Sequence, residues 1–163
     1  MSTLNDIPPE LRNHHQFPQA TCAVSAFECV AKLHELLAPD KFPLQSDETN
    51  REKGFDDTSY LKSLGLSCED HHYDTQSATT LIEKETNEGR FPLVSLREWK
   101  ADGTILDYHI FLCALYNSKL LLVNPREPRI EAEKKEDLEK VLEYNSKNNP
   151  DRTTLHILHY QKK

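Results

Sequence analysis

The sequence predicts an α+β chain in which a helical N-terminal part packs on a C-terminal antiparallel sheet. An apolar stripe of helical period runs from Cys22 to Leu37, and alternating apolar runs separated by turn signals fill the chain after Phe91. Hydrophobic residues make up 37% of the 163, about 60 positions, enough for the core of one domain over residues 1–163. Residues 1–21 carry Pro8, Pro9 and Pro18 and are expected to run extended or in turns, with residues 1–15 as an extended or flexible N-terminal segment.

The first helix is expected to open at Cys22, with Thr21 as its N-cap. Ala26, Cys29, Leu33 and Leu36 follow Cys22 at helical spacing, and Val24, Phe27, Val30 and Leu37 widen the stripe, so the helix should be mostly buried. Pro39 is its expected stop. Residues 45–64 are polar and are expected to pack weakly, with helical character from Thr58 to Leu64 ending at Gly65. Leu66 to Tyr73 reads as a short strand, and Gln76 to Glu88 as an amphipathic helix closed by Gly89.

Strands are expected over Phe91 to Trp99, Thr104 to Tyr116, Lys119 to Asn124 and Thr153 to Tyr160, with Asp102-Gly103 as a hairpin signal. Glu133 to Tyr144 reads as a surface helix, because charge dominates and Leu138, Val141 and Leu142 form a narrow stripe. If Asn117 and Ser118 form a two-residue turn, the antiparallel register pairs Tyr116 with Lys119 and Phe111 with Asn124, so Asn124 lies diagonally beside His109.

The charge balance of 20 basic against 27 acidic residues gives a net charge of -7, without a basic cluster, which disfavours a nucleic acid partner. The longest apolar run, Ile110 to Tyr116, is far short of a membrane span, and the polar N-terminus lacks the pattern of a secretory signal. A cytoplasmic location is the expectation, with export as an effector left open. Four scattered cysteines, Cys22, Cys29, Cys68 and Cys113, are expected to be free thiols.

A cysteine in the first turn of a buried helix meets the positive end of the helix dipole and unpaired amides, which favour the thiolate. Cys22 is therefore the candidate nucleophile, although such a cysteine is more often a small buried hydrophobe. Gln16, six positions upstream, offers a side-chain amide which, with the backbone N–H of Cys22, would supply two donors to an oxyanion; Gln19 is a competing donor. His109 lies in a strand apolar on both faces and is the candidate base, while Asn124 is placed to fix its tautomer.

The order of Cys22, His109 and Asn124, with Gln16 before them, resembles the papain-like cysteine peptidases. Within that fold it looks most like compact bacterial members similar to the double-glycine leader peptidase domain. Gln16, the helix TCAVSAF and the segment YHIFLCALYNSKLLLVNP carry the resemblance, which spans residues 16–125. It implies a papain-like α+β fold, with Cys22 as nucleophile, His109 as base, Asn124 as orienter and Gln16 as oxyanion donor. Thr21, Ala23 and Asn124 stand where leader peptidases usually carry Asp, Gly and Asp. The implied activity is a thiol protease on a protein or peptide substrate, without a cofactor. Glutamine deamidation or transglutamination by the same thioester chemistry, and a non-catalytic binding module on the same fold, are the alternatives.

The remaining candidates have ordinary explanations. Cys68, His71 and His72 lack a second pair at ligand spacing, so no metal is expected. His14 and His15 read as solvated loop side chains, His156 and His159 as members of an alternating strand, and Trp99 as core.

Overall fold

The structure, a computed structural model, describes residues 7–99, 105–127, 130–132, 134–146 and 153–160. Among the described residues there are three α-helices, α1 (Cys22–Leu33), α2 (Thr75–Asn87) and α3 (Lys135–Ser146), and one antiparallel sheet. The strands are β1 (Leu66–Tyr73), β2 (Leu93–Trp99), β3 (Ile105–Tyr116), β4 (Lys119–Val123), β5 (Ile130–Ala132) and β6 (Thr153–Tyr160), in the spatial order β1-β6-β2-β3-β4-β5. The α+β class expected from the sequence is therefore the observed one. The Asp102-Gly103 turn lies outside the described residues.

The sheet separates two apolar clusters. On one face, Ile110, Leu112 and Ala114 of β3 pack with Val24, Phe27 and Val30 of α1. On the other, Phe111 and Cys113 pack with Ala78 and Ile82 of α2 and Leu138 and Leu142 of α3. Alternation along β3 thus feeds both cores, which explains why the run from Ile110 to Ala114 is apolar without a break. Asn117 and Ser118 have φ of 51° and 64°, as a type I′ turn requires, and the β3–β4 ladder runs from Tyr116↔Lys119 to Leu112↔Val123. The expected register is observed as far as Leu112↔Val123, but the expected Phe111–Asn124 pair is not part of the ladder, because β4 ends at Val123 ahead of Pro125. Asn124 lies just past its end.

Helix α1 opens where expected: the Thr21 hydroxyl accepts a hydrogen bond from the Val24 N–H at 3.3 Å. Its end corrects the sequence reading. The helix stops at Leu33, because the N–H groups of Glu35 and Leu36 turn back to the carbonyls of Lys32 and Ala31. Glu35 occupies the left-handed position of this closing motif at φ 59°, where glycine is usual, so Pro39 is not the stop. We expect Glu35→Gly to raise stability by about 0.5–1 kcal/mol, since relief of left-handed strain exceeds the added freedom of the unfolded chain. Urea denaturation of the two proteins measures it, and a lower midpoint for the variant would contradict the assignment.

Other differences are local. The segment before Gly65 is a 3₁₀ turn, Ser59–Leu64, and it packs well: Leu61 is wholly buried, and Phe55 and Tyr60 meet the ring of Phe27 edge-on. From residue 7 onward the N-terminal segment is tied down by a 3₁₀ turn at Pro9–Leu11, with Ile7 and Leu11 wholly buried. The three-residue strand β5 has no sequence signal of its own. Among the described residues, no helix is long and apolar enough to cross a membrane, and the four cysteines are free.

Candidate functional site

The segments that carry Gln16, Cys22 and Asn124 are joined by hydrogen bonds at the turn that follows β4. The Gln16 N–H donates to the Arg126 carbonyl at 3.0 Å, and the Ser25 hydroxyl of α1 donates to the Pro125 carbonyl at 3.0 Å. The turn at 124–126 is thereby fixed both to the segment before α1 and to the first turns of α1 itself. Within that turn, the Asn124 carboxamide oxygen accepts the Arg126 N–H at 3.0 Å, bridging the proline between them. Asn124 is buried, so this local bond satisfies an oxygen that would otherwise be costly to enclose.

Gln16 is held from its neighbours. The buried Gln45 side chain accepts the Phe17 N–H at 2.6 Å and donates to the His15 carbonyl at 3.0 Å, clamping the residues on either side. The carboxamide of Gln16 itself donates through Nε2 to the Ala20 carbonyl at 2.9 Å, two residues before Cys22. One N–H of that amide remains for another acceptor. Gln45 is a positioning residue the sequence reading missed, because nothing in a polar loop marks it.

Thr21 fixes the helix start from both sides. Its N–H donates to the Arg51 carbonyl at 2.8 Å, and its hydroxyl donates to the Lys53 carbonyl at 2.6 Å. Cys22 follows, half-buried at the mouth of the helix. Burial pushes its thiol pKa above the ordinary value, against the opposing pull of the Ala23 and Cys22 N–H groups and the Arg126 charge. This corrects the expectation that the helix terminus by itself favours the thiolate. Activation requires a further cation or base.

His109 lies in β3, with Leu96 of β2 as its Cα partner. Its side chain, like that of Trp99, is outside the described residues. The β3–β4 ladder ends at Leu112↔Val123, before position 109 is reached, and position 109 shares the strand parity of Phe111 and Cys113, which pack on the sheet face opposite α1.

Behind the site lies a buried polar network that the sequence reading missed. His14, read as a solvated loop residue, is buried: its Nε2–H donates to the Ser25 hydroxyl and carbonyl, each at 3.0 Å, and its Nδ1 accepts from Lys32 Nζ at 2.9 Å. The Lys32 ammonium also sits 3.6 Å from the centre of the Phe42 ring. Glu28, one turn before Lys32, accepts the Leu44 N–H at 2.8 Å. Burial lowers the pKa of Lys32 and raises that of Glu28. The chain of hydrogen bonds from Lys32 through His14 and Ser25 to Pro125 links the helix interior to the turn carrying Asn124.

No family model matches the chain, and no curated protein matches it. Among solved structures it is similar to the crystal structure of the Pseudomonas avirulence protein AvrPphB, at 19% identity and a TM-score of 0.39, over 62% of this chain. The match covers 57% of that chain, so this chain spans a little over half its length.

Proposed function

We propose that the chain is a cysteine-dependent acyl-transfer hydrolase of the papain-like kind, acting as a protease on protein or peptide substrates in a thiol-reducing, cytoplasmic setting. One observation carries this reading: Gln16 and the helix headed by Cys22 are both bonded to the turn that holds Asn124. This link joins three segments that carry a carboxamide, a thiol and an asparagine, residue types that acyl transfer uses, and so supports the reading.

In the proposed reaction the imidazole of His109 takes the Cys22 proton, and the sulfur attacks the carbonyl carbon. The Cys22 N–H and the remaining N–H of the Gln16 carboxamide receive the developing oxyanion. Collapse of the intermediate breaks the C–N bond, with the imidazolium protonating the departing amine and a thioester left on Cys22. His109 then deprotonates a water that attacks the thioester and releases the acid. Asn124 orients the ring, using the second lone pair of a carboxamide oxygen already engaged by Arg126.

The test is incubation with reduced, unfolded casein, read by intact mass and peptide mapping. New termini that disappear with Cys22→Ala support proteolysis. A gain of about one mass unit without new termini would move the activity to side-chain deamidation by the same thioester route. No change in either readout would contradict the protease reading.

A further inference from the structure

A second constellation lies on β1 and β6, sharing no residue with the site above. Cys68 and Asp70 are two positions apart and so share a face of β1, and His156 is the cross-strand partner of Asp70. Asp70 Oδ1 lies 3.2 Å from Cys68 Sγ and 2.6 Å from His156 Nδ1, and one donor atom from each residue falls within 4.8 Å of the others. Thiolate, imidazole and carboxylate together form a donor set suited to zinc.

The spacing is close to what such an ion needs. Metal bonds of about 2.0–2.3 Å in a tetrahedral arrangement place donor atoms about 3.3–3.6 Å apart. The Cys68–Asp70 separation is nearly that already. The imidazole and carboxylate need to part by less than about 1 Å, as metal bonds replace their hydrogen bond. Asp70 has room to move, with 42% of its side chain exposed.

The imidazole, by contrast, is fixed. His156 is 3% exposed, its Nε2 lies 2.6 Å from the Ser95 hydroxyl, and the Phe55 ring lies parallel to it at 3.8 Å. Without a cation, Nδ1–H donates to Asp70 and the Ser95 hydroxyl donates to Nε2. A hydroxyl can equally accept, so the ring proton can move to Nε2 and be held by Ser95, freeing the Nδ1 lone pair.

We propose that Cys68, Asp70 and His156 bind a zinc-class divalent cation, with water at the fourth position. Binding exchanges the Cys68 S–H bond for a metal–sulfur bond, and the proton passes to solvent. The cation ties the edge strand β1 to β6. Because binding releases a proton, affinity falls as pH drops.

Cobalt(II) is the probe. It is added to chelator-treated full-length Cys22→Ala protein, which removes any contribution from the candidate nucleophile. We expect a thiolate-to-cobalt charge-transfer band that saturates at one equivalent and is displaced by zinc. Cys68→Ser should abolish it, and Asp70→Asn, which keeps the side-chain shape, should weaken cobalt binding at least about tenfold. His156→Gln should also abolish it. Because that residue is buried, the half-exposed Cys68 is the decisive position, with circular dichroism confirming the fold. Absence of the band, or its survival in Cys68→Ser, overturns the proposal.

Discussion

Cys22→Ala is expected to lower hydrolysis by at least about a thousandfold while leaving the fold intact. Without the sulfur no thioester forms, and the amides at the helix mouth can only polarise a carbonyl for attack by water. The fold should tolerate the change because Thr21, not Cys22, caps α1, and because alanine is the best helix former. Losing a half-buried thiol should cost about 1 kcal/mol, a fall in Tm of about 2–4 °C for a chain of this size. Activity near that of the unmodified protein would remove Cys22 from the mechanism.

Acid should weaken the protein through His14. Burial, then the neighbouring Lys32 charge, lowers its pKa from 6.5 to about 3. The unfolded chain therefore takes up a proton below pH 6.5 that the folded chain refuses until about pH 3. Folding releases that proton in this window, so the contribution of His14 is fully present above pH 6.5 and is lost as pH falls towards 3. Between pH 7 and 4.5 the loss should be about 2–3 kcal/mol. Exposed carboxylates titrate in the same range, and Glu28, with its raised pKa, acts in the opposite direction. The contribution of His14 is therefore read by difference. Urea denaturation at both pH values should show a loss about 2–3 kcal/mol smaller in His14→Gln, whereas equal losses in the two proteins would contradict the account.

Local structure was legible wherever a short pattern determines it. The expected bounds of β1 and β6 are the observed ones, the Asn117-Ser118 turn set the β3–β4 register, and the Thr21 cap set the start of α1. The end of α1 was hidden because Glu35, rather than glycine, occupies the left-handed position. Contacts between distant segments were equally hidden. His14 gave no sign of burial because its partners lie on α1, and Cys68 and Asp70 gave none of His156, which is 86 residues beyond Asp70. The candidate site shows the same division. Its residue types were legible in order, but the link among them, a turn whose carbonyls are shared by Gln16 and Ser25, was not.

The central claim is that the sulfur of Cys22 and the imidazole of His109 meet. The most direct measurement is the pH dependence of iodoacetamide alkylation at Cys22, followed by peptide mass in the unmodified protein and in His109→Ala. Alone, the buried thiol has a raised pKa and should react slowly near pH 6. Beside an imidazolium it forms an ion pair and should react at least about tenfold faster there than Cys29, Cys68 or Cys113, and His109→Ala should remove that advantage. Position 109 has the strand parity of Phe111 and Cys113, which face the α2–α3 core. Identical alkylation profiles in the two proteins would mean that the ring belongs to that core and not to the thiol.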